Sequence, residues 1–204
     1  NGFGGARKQY LDEIRFVPVP DANTRVEGAI AGQYDYADLL PVEAYDRLNG
    51  QEKTEPILLK SFGWPMFIMN NKQGLMTKLE MRKAVQAALN AEDMLAAAFG
   101  KPEFYTVDGA LYPQGYPWRT DAGTEAYNQG NPEKAKELAK AAGYDGKQPI
   151  RILTSRQYEF HYKMAQVAAE YLKAAGLAVE LQVVDWATLV QRRADPAPWD
   201  LFIT

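Results

Sequence analysis

From Ile150 onward the chain alternates strand-like and helix-like segments without a break. "IRIL" (150–153) is followed by an amphipathic run carrying Phe160, Met164, Val167, Tyr171 and Leu172 on one side. "LAVELQVV", "WATLVQRRA" and "WDLFIT" then complete a β-α-β-α-β order. Strands joined through helices cross over right-handedly and lie parallel in a sheet covered on both faces. In open sheets of this kind, ligands sit in the crevice beyond the carboxyl ends of the strands.

The turns at that edge have an unusual composition. Connections that only reverse the chain are built from Gly, Asn, Asp, Ser and Pro. The turn after Leu153 instead leads through Arg156, Tyr158, Phe160 and His161, the chain's single histidine. Asp185, in the N-cap position of "WATLVQRRA", and Trp186 follow the next strand.

The front of the chain is expected to repeat the pattern. "LDEIRFVPV" (11–19) alternates as a half-buried strand, and "YDYAD" (34–38) reads as a short one. Between them lies a helix with capping-box spacing at Thr24 and Glu27 and a C-terminal cap at Gly32. Pro41 opens the next helix as a first-turn proline and Gly50 ends it. Residues 56–71 hold two strand-like runs broken at Gly63–Pro65.

Thr77 and Glu80 suggest a second capping box, opening a helix that turns Leu79, Val85 and Leu89 inward. "AEDMLAAAFG" forms another helix, ending at Gly100. Residues 101–130 form a long irregular stretch rich in Gly, Pro, Tyr and Trp, of a length that is often functional. Asn131, Pro132 and Gly143 delimit one more helix as N-cap, first position and C-terminal cap. The expected fold is therefore an open α/β lobe over residues 1–204. Its sheet is largely parallel or mixed, with helices on both faces and a helical and loop insertion at 72–130.

A net charge of −3 and a pI near 5.3 argue against a nucleic-acid binder, which carries a basic stripe. No apolar run approaches the ~20 residues that span a bilayer. With no cysteine, disulfides and thiolate metal sites are excluded, although the compartment is left open. Asn1–Lys8 has none of the features of a signal peptide, and the chain stops on an apolar strand. The expectation is of a piece of a longer protein.

Catalytic patterns are absent from the sequence. Neither Ser61 nor Ser155 lies in a nucleophile elbow, and the spacing of Ser155, His161 and Asp185 gives no support to a triad. His161 reads as a surface residue without metal-ligating neighbours. "GFGGA" lacks the Gly-Lys-Ser/Thr of a phosphate loop and reads as a flexible lead-in. Glu43 with Asp46, and Glu92 with Asp93, read as solvated helix surface. No cofactor and no metal site is expected.

Six aromatic residues at strand ends or in loops remain: Trp64, Tyr112, Tyr116, Trp118, Tyr158 and Trp186. Together they suit a pocket that accepts varied apolar groups with a few polar anchors. Arg156 is the best anchor, since its planar fork can hold a carboxylate in two places. Its alternative role is an exposed arginine packing its stem beside Tyr158.

Three separated segments carry a family resemblance. "YLDEIRFVPVPDANTRVEGAIAGQYDYADLLP", "FIMNNKQGLMTKLEMRKAVQAALNAEDML" (with Asn70, Asn71, Arg82 and Ala84) and "LKAAGLAVELQVVDWATLVQRR" occur in order. They resemble family 5 solute-binding proteins, the oligopeptide and dipeptide class that feeds ABC importers.

The resemblance implies a periplasmic-binding-protein-like (type II) lobe, most of the second of two lobes that close over a ligand. It also implies a periplasmic or otherwise extracytoplasmic location, a peptide or small-molecule ligand, and ABC permease partners for the full-length protein. Neither nucleic-acid binding nor membrane insertion is implied. Trp186 matches a tryptophan lining the family's peptide pocket, and Arg156 lies near an arginine that holds the ligand carboxylate in dipeptide binders. Trp64 and Tyr158 complete the candidate set. A ligand-sensing lobe of a transcriptional regulator and an α/β enzyme fragment are the rival functions.

Overall fold

The computed structural model describes residues 8, 10–59 and 63–204. The glycine-rich lead-in "GFGGA" and Ser61 lie outside them. The chain divides into two compact units, residues 1–56 and 57–204.

The second unit is built on four strands: β1 (Phe67–Met69), β2 (Ile150–Thr154), β3 (Val179–Val183) and β4 (Leu201–Ile203). Their spatial order is β1-β4-β2-β3. β2 runs parallel to both of its neighbours. β1 is antiparallel to β4, with Phe67 opposite Ile203. The sheet is thus open and mixed, as the sequence predicts. Helix α6 (Glu159–Ala174) carries the chain from β2 to β3, and α7 (Trp186–Arg192) returns it past β2 to β4.

The two-residue alternation of a strand sorts side chains between two cores. Ile150, Ile152, Leu201 and Ile203 face Met164, Ala165, Ala168 and Leu172 of α6. The same core takes in Met81, Ala84 and Val85 of α3 (Leu79–Ala88) and Met94, Leu95 and Ala98 of α4 (Ala91–Phe99). On the opposite face Leu153 and Phe202 pack with Leu189 of α7 and with Trp199. Each fully buried Leu or Ile contributes roughly 1.5–3 kcal/mol by leaving water, so both faces need their helices.

Local signals set several helix ends. The Asn131 side chain accepts from Lys134 N at 2.9 Å, and Pro132 opens α5 (Pro132–Ala141). Gly143, at φ +73°, closes it, with Gly143 N donating to Lys140 O and Tyr144 N to Ala139 O. Asn90 caps α4 in the same way, accepting from Asp93 N at 3.0 Å, and Gly100 ends it.

The capping box at Thr77 and Glu80 does not form. Lys78 is the N-cap and makes no side-chain cap bond, while the Thr77 hydroxyl bonds the Gly74 carbonyl at 2.8 Å. Leu79 consequently points outward and is 48% exposed.

Buried polar groups tie the loops around β1 and β4 together. Asp200 is fully buried and accepts from the backbone N–H of Arg151 at 2.9 Å and from its Nε at 2.8 Å. Asn70 donates to the carbonyls of Pro196 and Trp199 and accepts from the amides of Lys72 and Gln73. Arg82 bonds the carbonyls of Met76 and Thr77. Three residues of the recognised segment therefore have structural tasks: Asn70, Arg82, and Ala84, which is fully buried.

The first unit contains α1 (Ala22–Ile30) and α2 (Tyr45–Asn49). Asp21, not Thr24, caps α1. Its carboxylate accepts from Thr24 N at 2.7 Å and from the Thr24 hydroxyl, while Glu27 pairs with Arg47. Gly32 closes the helix at φ +69° as expected. Pro41 sits one position ahead of its predicted place, as N-cap of the short turn at Val42–Ala44.

Among the described residues, the expected strands at 11–19 and 34–38 are not in a sheet, and residues 57–59 form no strand either. Alternation supplies an amphipathic face, but a strand exists only where a partner offers backbone hydrogen bonds.

Candidate functional site

The carboxyl ends of β2, β3 and β4 share one edge of the sheet. Because β1 is antiparallel, the chain preceding it lies at the same edge, where Met66 N donates to Thr204 O at 2.8 Å. All four candidate residues therefore fall on this edge: Trp64 before β1, Arg156 and Tyr158 after β2, and Trp186 after β3. With strands ~4.8 Å apart, β1 and β3 are separated by roughly 14 Å. The candidates thus spread along the edge instead of converging on one point.

Two of them meet directly. The rings of Tyr158 and Trp186 contact edge to face at a centroid distance of 4.6 Å. Both are half-buried, leaving ring surface open to a ligand. Local structure explains the meeting: Tyr158 is the residue before α6 and Trp186 the first of α7, on adjacent parallel strands. Asp185 fixes the start of α7 by accepting from Thr188 N at 2.9 Å. The Thr188 hydroxyl and amide hold its carboxyl below the ordinary carboxylate range.

Arg156 is exposed at the same turn. Its guanidinium lies over the Tyr162 ring, 4.5 Å from the centroid, and Nη2 donates to the Tyr162 hydroxyl at 2.9 Å. The partner of its guanidinium is thus Tyr162. No described carboxylate pairs with it. Trp64 is about half exposed, at 49%, and among the described residues no ring contact joins it to the Tyr158–Trp186 pair.

His161 differs from expectation. It is buried, at 7% exposure, beneath Tyr158 and Phe160, with ring centroids 5.5 and 4.2 Å away. Phe160 in turn packs at a tilt against Phe99 of α4, with centroids 5.5 Å apart. Burial pushes the His161 imidazole from its ordinary value near 6.5 down to about 4. His161, which the sequence suggests is a surface residue, and Tyr162, which it does not single out, underpin the two candidates beside them. Their i+3 and i+6 spacings from Tyr158 and Arg156 were the available signal.

The other aromatics form a separate group. Tyr112 stacks with Tyr116 and tilts against Trp118, at 6.3 and 5.7 Å. Arg119 holds that loop by bonding Asp108, Asp121 and the Tyr112 carbonyl. A pocket of about 220 Å³ lies at the opposite, amino edge of the sheet, lined by residues including Lys78, Met81, Tyr144 and Gln148. Among the described residues no helix is long and apolar enough to cross a membrane.

The fold has clear counterparts. The family model of "Bacterial extracellular solute-binding proteins, family 5 Middle" matches residues 3–204. The chain belongs to this family.

Its relatives in the family include a probable peptide ABC transporter periplasmic-binding protein of Sinorhizobium fredii, 28% identical over 100% of this chain and 40% of that protein. The oligopeptide-binding protein AppA of Bacillus subtilis is 26% identical over 95% of this chain and 37% of its own length. The chain thus spans about two fifths of the curated relatives it matches. Among solved structures, AgaA of A. tumefacien R10 in complex with agropinic acid superposes with a TM-score of 0.74 and 27% identity, over 91% of this chain and 37% of that one. NikA of Staphylococcus aureus gives a TM-score of 0.75 at 17% identity, over 91% and 39%, a likeness of fold.

Proposed function

We propose that the chain belongs to a ligand-binding lobe of a two-lobed receptor serving an ABC importer, with residues 57–204, and not the whole of 1–204 as the sequence suggests, forming its compact body. The helical and loop segment 72–130 is an insertion in that lobe. The ligand is a small peptide-like solute, held at the carboxyl edge of the sheet without covalent chemistry. The single observation that carries this reading is the Tyr158–Trp186 ring pair, half-open at the edge where α/β sheets take ligands.

The division of labour follows from chemistry. The two rings offer an apolar wall that tolerates different side chains. Arg156 supplies the anchor for a carboxylate, and the Tyr162 ring and hydroxyl hold its guanidinium in place. Trp64, farther along the edge, serves longer or bulkier ligands. The peptide class is supported by the names of relatives matched over nearly the whole chain. The same relatives support a periplasmic location for the longer receptor and an ABC permease as its partner.

Ligand closes such a receptor only by touching both lobes, because a shift in equilibrium requires differential contact with the two states. Calorimetry against a dipeptide library tests this on the 204-residue chain and on the longer receptor. The expected result is micromolar or tighter binding by the longer receptor and none by the chain alone. Equal, tight binding by both would overturn the two-lobe account.

A further inference from the structure

Ring packing alone holds the Tyr158 side chain. Tyr158 is the residue ahead of α6 and makes no side-chain cap bond there. Among the described residues its hydroxyl has no hydrogen-bond partner either. Its ring meets Trp186 at 4.6 Å, His161 at 5.5 Å and Phe160 at 6.1 Å, the first and last edge to face. A ring without a polar tether takes its place from the surfaces packed on it.

Those surfaces lead away from the binding edge. Phe160 lies 4.2 Å from His161 and 5.5 Å from Phe99, the last residue of α4. Phe99 and Phe160 pack on the core of the α6 face, and Trp186 packs on the core of the α7 face. Tyr158 joins the two across the carboxyl edge of the sheet. His161 fills the layer beneath it as a neutral ring, since burial lowers the imidazole to about 4.

We infer that Phe99 is a positioning residue for the ligand wall: through Phe160 and His161 it holds the Tyr158 ring against Trp186. The helical insertion thereby acts on the site without lining it. Phe99 is half-buried, and α4 keeps its Asn90 cap and its Gly100 terminus whatever ring stands there. This role rests on the proposed binding site for its consequence, whereas the ring geometry needs no ligand.

Fluorine NMR of the 204-residue chain carrying fluorotryptophan reads that geometry directly. Its four tryptophans are assigned by replacing each in turn with Phe. Phe99→Leu removes the ring and keeps an apolar side chain. It is expected to shift the Trp186 resonance and to leave Trp118, which packs in the separate group with Tyr112, in place. Phe99→Tyr keeps the ring and is expected to retain the parent spectrum. Phe160→Leu cuts the same row of rings closer to Tyr158 and should move Trp186 at least as far. An unmoved Trp186 resonance in either leucine variant would overturn the inference. So would equal shifts at all the tryptophans, which assign Phe99 to general packing.

Affinity supplies the functional arm, in the longer receptor with alanylphenylalanine as the probe. Phe99→Leu is expected to weaken binding ~3- to 10-fold, the range of one aromatic pair. In a Trp186→Ala background the same change should cost under ~1.5-fold, because groups acting through one another are not additive. Equal losses in both backgrounds contradict the coupling. A parent receptor that does not bind this dipeptide counts against the proposed function, and the fluorine spectrum then decides the role of Phe99 by itself.

Discussion

Tyr158 and Trp186 are brought together by strand pairing: one follows β2, the other follows β3, and the parallel register of those strands sets their rings 4.6 Å apart. A ring pair built this way depends on the sheet and is not rebuilt by loop movement.

Replacing Trp186 by Ala should weaken solute binding by the longer receptor ~10- to 100-fold, the range of a central aromatic contact. Calorimetry with a bound dipeptide reads the loss. The far-ultraviolet dichroism should stay as it is, because Asp185 still caps α7.

Arg156→Gln removes the charge and the fork while retaining a polar side chain. Affinity for solutes with a free carboxylate should fall ~10- to 100-fold, and affinity for their amidated forms should hardly change. Tyr162→Phe removes only the hydroxyl that holds Nη2 and should produce a several-fold loss, in the same carboxylate-dependent sense.

Stability of the lobe has a different centre. Asp200→Ala leaves Arg151 partly buried without its carboxylate, a change that costs roughly 3–5 kcal/mol in buried pairs. Urea unfolding should show a lowered midpoint at unchanged slope. A midpoint equal to that of the parent protein would mean the pair is dispensable.

The strength of these signals explains what could be read in advance. α5 was legible from end to end because its cap and first-turn proline at one end, and its closing glycine at the other, each act only on the adjacent turn. The order β2-α6-β3-α7-β4 was legible because apolar periodicity sets each element. Tyr158 and Trp186 could be placed at one edge by topology, but their contact needed the register of β2 against β3. The capping box at Thr24 and Glu27 failed for a local reason. Asp21 lies one turn ahead of Thr24 and took the cap, leaving Glu27 to Arg47. Burial of His161 was illegible, since it depends on Phe160 reaching Phe99 on another helix. The front strands failed because alternation says nothing about whether a partner strand is present.

Burial of His161 gives the lobe a pH signature. Its folded value is about 4 against 6.5, so between these limits the unfolded chain binds more protons than the folded one. Stability is therefore complete above about 6.5 and declines as pH falls through that window towards 4, by a total on the order of 3 kcal/mol. His161→Phe should flatten the decline. Melting temperatures of both proteins from pH 7 to pH 4 check this, and parallel curves would remove His161 as the cause.

The most direct measurement is a crystal structure of the longer receptor with the solute that co-purifies with it. The account predicts that solute against the rings of Tyr158 and Trp186, with an acidic group on the Arg156 guanidinium. A solute bound at the amino edge of the sheet, beside Lys78 and Tyr144, would contradict it.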